Sequence, residues 1–397
     1  MTSAETMAQN QNLSCTSVLF KQPGAATGVT YRIPALLVLP PTPDKQQWIL
    51  AFAERRFTPS DTKADALALR RGCKDSNGEI QWHAEEVLSN LCLADHRSMN
   101  PTPLYNTSSN TAILFFIAIR KGVSEQEQIL KSRCAARLCF TTSHDAGKTW
   151  EPVQDLTDTV LRDHIGTFAT FALGPGHGVQ LQCGRLVVPG YAYRCDAGVG
   201  CFGLHHKPKS QAFLLYSRNG GEWHVGNALP GPWSNECQVA EVRNADGTLQ
   251  LVVNAKGHDG LRVEALSTDE GKSLSTGCLA PGLLGSGNGC HGSLLAINCL
   301  PEVLGHTDCL IYSQPTHRKK RRDLGLYVNK KPGDPTAWSK PYILHFGPAG
   351  YSDLACLSGP DLSLACLFER GEKDYCEEIF FATIPLRKLF DELPSNI

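Results

Sequence analysis

The stretch TYRIPALLVLP, Thr30 to Pro40, reads as one apolar strand with a single arginine, Arg32, inside it. A guanidinium withdrawn from water is costly unless an acceptor meets it. Its planar fork also suits it to hold a carboxylate through two parallel hydrogen bonds, which the point charge of a lysine cannot do. Arg32 therefore needs a buried partner, an anionic ligand, or both. Cations gather again in HRKKRR, His317 to Arg322. As a bare motif this run reads as a nuclear-localisation signal, an anionic-lipid patch or a solvated basic loop. Metal chemistry has no comparable signal: the sixteen cysteines are scattered, with no C-x-x-C pair and no Cys/His cluster at zinc spacing.

The rest of the composition is that of an ordinary globular chain, 42% hydrophobic and 19% charged, and its formal net charge of −1 implies no bulk attraction to nucleic acid. The N-terminus, MTSAETMAQNQNLSC, lacks the apolar core of a signal peptide, so reduced thiols in a chain facing the cytosol are expected. Without that signal, the glycosylation triplets at Asn12 and Asn106 read as chance matches. The longest apolar run, Ile113 to Ile119, falls far short of the ~20 residues of a membrane helix. Thr2 stands where myristoylation needs glycine. Any membrane contact is expected to be peripheral.

The elements that must position these residues are strands. AILFFIAI, GRLVVPGYAY, AFLLYSR, TLQLVVNAK, CLIYSQ, LGLYVN, SLACLFE and EEIFFATI are short β-rich runs divided by Gly, Pro, Asn and Asp. DKQQWILAFAERR reads as helix or strand, and short helices are expected near Glu125–Lys131 and in PLRKLFDEL. A repeat narrows the architecture. SHDAGKTW (Ser143 to Trp150), STDEGKSL (Ser267 to Leu274) and the shorter SRNGGEW (Ser217 to Trp223) each follow a strand-like run. In each, Asp or Asn can cap a turn, Gly can take positive φ, and Trp, or Leu274 in one copy, can pack beneath. Such turns at intervals of a four-stranded unit predict an all-β, six-bladed β-propeller with Asp-box turns. Residues 15–395 are expected to form this single domain, with residues 1–14 a disordered N-terminus.

In this setting YRIP near the start, followed by the repeated turns, resembles the sialidases (exo-α-neuraminidases). AFAERR, DHRSMNP, GPGHGVQL, ECQVAEV, PTHRKKRRDLG and GYSDLA, in that order, are similar to the animal members. The resemblance spans about Ser14 to Leu393. RCAARLCF, VEALSTDEG and ILHFGPAGYSDLA are most similar to the branch that acts on gangliosides at the plasma membrane. It implies a retaining exo-α-sialidase with no metal or organic cofactor. Its partners would be gangliosides, with sialoglycoproteins and oligosaccharides as further substrates, and no nucleic acid. The expected location is peripheral on the plasma membrane or an endomembrane, with the cytosol as the alternative.

The resemblance also implies roles. Three arginines read the sugar carboxylate: Arg32, Arg262 and Arg321, with Arg322 as rival for the last. Glu369 orients the first. Tyr351 is the nucleophile; a neutral tyrosine avoids the repulsion that a carboxylate would meet beside the substrate's own carboxylate, and sialidases are the tyrosine exception among glycosidases. A phenol with a pKa near ~10 needs a base, for which Glu236 is the candidate and Glu241 the rival. Asp61 is the acid/base, with Asp65 as alternative. Arg56, or its neighbour Arg55, lies on the 4-hydroxyl side near Glu54. Met99 and Asn100 resemble the N-acetyl pocket, Tyr191 and Tyr193 the glycerol-side wall, and Glu125 the loop touching the glycerol chain. A propeller suits residues this scattered, because every blade sends its innermost strand to one axis.

Overall fold

The computed structural model describes residues 13–23, 28–195, 208–244, 246–287, 289–298, 308–359 and 362–393. Most of the expected disordered terminus and the Asn12 triplet lie outside the described residues. All eight β-rich runs are strands, and WILAFAE lies in the strand Gln47–Arg56. The two expected helices form at Glu125–Lys131 and Leu386–Glu392. Ser124 caps the first, accepting from Glu127 N at 3.0 Å.

The strands make five antiparallel sheets. Sheet faces pack on one another in sequence order. Leu114 and Phe116 of the second sheet meet Leu50, Phe52 and Leu69 of the first. Their neighbours Ile113 and Phe115 point the other way, onto Phe213, Leu215 and Trp223 of the third. The period-two alternation of a strand thus feeds two cores, which is why the central strands are apolar throughout. The succession closes where Leu36, Ile49 and Ala51 of the first sheet meet Leu367 and Phe381 of the last.

The innermost strands follow the same circuit. Thr30–Val38 touches His96–Asn106, which touches Phe168–Leu173. Leu186–Arg194 touches Asn235–Arg243, then come Ser293–Ile297 and Tyr342–Leu357, which returns to Thr30–Val38. The arrangement is propeller-like. Its last sheet has seven strands because the long strand Tyr342–Leu357 pairs Arg322–Asn329 through its first part and Ser363–Arg370 through its second. The chain's first strand, Cys15–Lys21, adds to the outer edge of this sheet beside Glu378–Pro385. Near the axis Asp353 ties three inner elements: it accepts from Leu36 N and Ser293 Oγ, each at 2.7 Å, and meets His177 Nδ1 at 2.7 Å.

The antiparallel path puts the connections Phe57–Lys63, Lys121–Ala135, Gly257–Leu261, Thr316–Arg321 and Gly371–Glu377 at one end of the ring, with the starts of the inner strands. The repeated turns sit at the other end. In the first, Asp145 accepts from Thr149 N at 2.8 Å, Ser143 Oγ accepts from Gly147 N at 2.9 Å, and Gly147 holds φ +77°. In the second, Asp269 accepts from Ser273 N and Ser267 Oγ from Gly271 N, both at 2.9 Å. Trp223 of the third is buried edge-on against Phe115 at 4.7 Å. Cys195 is disulfide-bonded, correcting the expectation of uniformly reduced thiols; the other thirteen described cysteines are in no disulfide. Asn106 is buried in the ring.

Candidate active site

Of the inner strands that break register at this end, four do so beside candidate site residues: between Arg32 and Ala35, Met99 and Thr102, Asn235 and Cys237, and Ala349 and Ser352. A bulge re-aims the side chains beside it, and these bulges carry Ile33, Asn100, Glu236 and Tyr351. Ile33 and Asn100 hold φ of 59° and 53°. For a β-branched isoleucine this costs on the order of 1–3 kcal/mol and persists only when its surroundings enforce it. Buried acids enforce it here. Glu369 Oε1 accepts from Ile33 N at 2.9 Å and from Arg32 Nε at 2.6 Å, while its Oε2 accepts from Tyr351 N at 2.9 Å. Glu54 repeats the device: Oε1 accepts from Asn100 N at 2.7 Å and Oε2 from Arg56 Nε at 2.8 Å. Glu369 thus fixes two bulges and one guanidinium, and Glu54 one of each.

Two guanidiniums share one aromatic slot. Arg32 lies 5.6 Å from the Tyr351 ring centre and 5.2 Å from that of Tyr375. Arg321 lies 5.2 and 5.3 Å from the same rings. Arg32 has one partner acid and Arg321 has no ion pair among the described residues, so both forks keep donors for an anion. Arg262 differs. It is buried against the Tyr312 ring, and its Nε donates to Asn254 Oδ1 at 2.7 Å, Nη2 to Asn254 O at 3.2 Å and Nη1 to Cys290 O at 3.3 Å. All three of its nitrogens donate to protein acceptors, Nη2 also to Glu236 O at 3.5 Å, so it braces the wall behind Glu236. The third cation at the site is Lys256, whose Nζ lies 2.5 Å from Glu236 Oε2.

Tyr351 O–H donates to Glu236 Oε1. Burial, with the Glu236 carboxylate beside it, pushes the Tyr351 phenol well above its ordinary pKa. Burial alone would raise Glu236, but Lys256 overrides it and holds the carboxyl down at about 2. The proton therefore rests on Tyr351 and the charge on Glu236. His291 packs 5.4 Å from the Tyr351 ring, fully buried, kept neutral by burial with a pKa near 3.

Across the mouth, Asp61 opens a short 3-10 turn, Asp61–Lys63, held by Arg97 Nε donating to Asp61 O at 3.2 Å. Glu125, the first residue of its helix, accepts from Tyr191 O–H at 3.3 Å, and Tyr193 Oη accepts from Asn235 Nδ2 at 2.9 Å. Burial, then the neighbouring charges of Glu236 and Asp61, push Glu125 up to about 7. Met99 is buried on the strand that carries Asn100.

The geometry also separates the rivals. Arg322 is exposed at the start of its strand. Glu241 faces away and accepts from Gln182 N at 2.7 Å. Arg55 and Asp65 pair with each other outside the buried Arg56–Glu54 couple. Sequence reasoning passed over Lys256, Tyr375 and His291. Lys256 had one available signal: it ends the strand beside Glu236, in register with Asn235. Tyr375 sits in an irregular connection and had none.

A family model described as a BNR repeat-like domain matches residues 49–364. Human Sialidase-3 is 40% identical, covering 98% of this chain and 97% of its own length. Sialidase-2 of Cricetulus griseus is 42% identical over 94% of this chain and 97% of its own. Among solved structures, the Hadza microbial sialidase Hz136 superposes with TM-score 0.71 at 19% identity, over 94% of this chain and 68% of that one. Trypanosoma rangeli sialidase in complex with sialic acid superposes with TM-score 0.63 at 16% identity, over 91% and 55%. The chain belongs to the animal sialidase family. It is accordingly a glycoside hydrolase, a neuraminidase.

Proposed function

We propose that this chain is a retaining exo-α-sialidase that removes terminal α-linked sialic acid, with gangliosides as preferred substrate and sialoglycoproteins and oligosaccharides as secondary ones. The carrying observation is the Tyr351–Glu236 hydrogen bond beneath the paired forks of Arg32 and Arg321. The two forks and Lys256 seat the sugar carboxylate, with Arg262 in support. Tyr351 Oη bonds to the anomeric carbon as its proton passes to Glu236. The bond to the leaving oxygen breaks, and Asp61 protonates that oxygen. Asp61 then takes a proton from water, which attacks the anomeric carbon; the tyrosyl bond breaks and Glu236 returns the proton to Tyr351. Positioning and electrostatics supply the rate, from side chains alone. Arg56 faces the 4-hydroxyl, Met99 and Asn100 the N-acetyl group, and Glu125, Tyr191 and Tyr193 the glycerol chain.

The fold reading is one domain, residues 15–395, of six blades. The seven-stranded sheet counts as two blades sharing Tyr342–Leu357, and the three turns are Asp boxes. No helix among the described residues is long and apolar enough to cross a membrane, which fits peripheral attachment. The test is hydrolysis of a fluorogenic sialoside, a ganglioside and a soluble sialoglycoprotein, each across pH. Lack of sialoside turnover anywhere from mildly acidic to neutral pH would sink the catalytic reading, and glycoprotein cleavage exceeding ganglioside cleavage would sink the preference.

A pH effect follows from Glu125. Its carboxyl is neutral below about 7 and ionises above it, adding negative charge where an anionic sugar must bind. KM should rise as pH passes upward through that value. Glu125→Gln should flatten the rise, and steady-state KM from acid to mildly alkaline pH checks it.

A further inference from the structure

We propose that the end of the ring carrying the site is itself the docking face for an anionic lipid bilayer, which it meets through Arg318, Lys319 and Lys320 and the apolar tips of Phe57, Leu130 and Leu284. The inference deepens the glycolipid reading and rests on it. The chain is close to neutral, with formal net charge −1, so this run of cations is a local feature and not the overflow of a basic protein. Arg318, Lys319 and Lys320 are exposed, and no ion pair among the described residues includes them. Arg321, next in the chain, turns inward to the Tyr351 ring. One connection thus directs a cation at the site and three at solvent beside its mouth.

The loop is fixed. Gly287 N donates to Arg318 O at 2.8 Å, and the backbone N–H groups of Lys319 and Lys320 both donate to His317 Nδ1 at 3.1 Å. Three of the six exposed large hydrophobic side chains among the described residues share this end: Phe57 at 50%, Leu130 at 76% and Leu284 at 40% exposure. Phe57 opens the connection that holds Asp61, and Leu130 rides the helix begun by Glu125. Leu284 adjoins Gly285, whose N–H donates to Gly260 O at 2.7 Å. Glu372, Lys373 and Asp374 on the next connection are also exposed and carry both signs, so the run of like charge at this end is Arg318–Lys320. Unpaired cations flanked by apolar tips match the chemistry of an anionic headgroup layer over hydrocarbon. A sialylated headgroup in that bilayer would then face the site opening.

The experiment is co-sedimentation of the full chain with phosphatidylcholine vesicles, with and without phosphatidylserine. The parent should bind the anionic vesicles and release with salt. The triple variant Arg318→Glu/Lys319→Glu/Lys320→Glu should lose about tenfold or more in partitioning, and Leu130→Ser should weaken it at unchanged salt dependence. Both variants should cleave a soluble fluorogenic sialoside like the parent. A triple variant that sediments as the parent does overturns the proposal. So does a parent that binds neutral vesicles equally well, or a loop whose charges serve only RNA or a nuclear import receptor. Failure of the catalytic reading would show separately, as loss of soluble sialoside turnover in every protein, and leaves the sedimentation outcome decisive for the docking face.

Discussion

Tyr351→Phe should lower kcat on a fluorogenic sialoside by about 10³-fold or more, while a carboxylate-bearing sialic-acid analogue still binds within a few-fold of the parent's affinity. The substitution removes one oxygen, the atom assigned to form the bond to the anomeric carbon. It leaves the ring on which Arg32 and Arg321 rest at 5.6 and 5.2 Å. The backbone N–H of residue 351 still donates to Glu369, and Glu236 keeps its contact with Lys256. The seat for the carboxylate therefore survives and only the nucleophile is lost. Single-turnover kinetics beside inhibitor titration separates the two. Ordinary turnover by the variant would mean that Tyr351 only packs, and the nucleophile would have to be sought elsewhere.

Much of the fold was legible because it rests on local chemistry. Strands such as AILFFIAI and SLACLFE announce themselves by composition, and Ser-x-Asp-x-Gly turns by the φ that only glycine takes cheaply. The shared long strand Tyr342–Leu357 was not legible: nothing in ILHFGPAGYSDLA says that one strand serves two sets of neighbours. For the site, residue types were legible and directions were not. Alternation gives the face of a side chain only while the register holds, and Glu236 and Tyr351 both sit at breaks in it. Arg262 shows the consequence. By resemblance it stands with Arg32 and Arg321, yet each of its nitrogens already donates to Asn254 or Cys290. The cation that reaches Glu236 is Lys256, at the end of the neighbouring strand and in register with Asn235, but in none of the segments that carry the resemblance.

Lys256 therefore carries the second large prediction. Its ammonium, 2.5 Å from Glu236 Oε2, is shared between the base and the place where a substrate carboxylate must sit. The charged groups facing Glu236 are Lys256, Arg321, Arg262 and, across the mouth, Glu125; Tyr351 and His291 face it in neutral form. Removing the one close cation leaves a buried carboxylate whose pKa must rise. Glu236 works only as the carboxylate, so the acid limb of kcat/KM in Lys256→Met should move upward by about one to two pH units, with the greatest loss at acid pH and a raised KM. Lys256→Arg keeps the charge and should leave the limb in place. Stability gives an independent readout. The depressed Glu236 pKa, about 2, contributes stability that is present above the unfolded-state value and is lost as pH falls toward 2. Without Lys256 that contribution disappears, so the fall in Tm from neutral to acid pH should become shallower even as Tm at neutral pH drops. An unchanged acid limb in Lys256→Met would show that the ion pair does not set the basicity of Glu236, and that the arriving substrate has no cation to draw away from it.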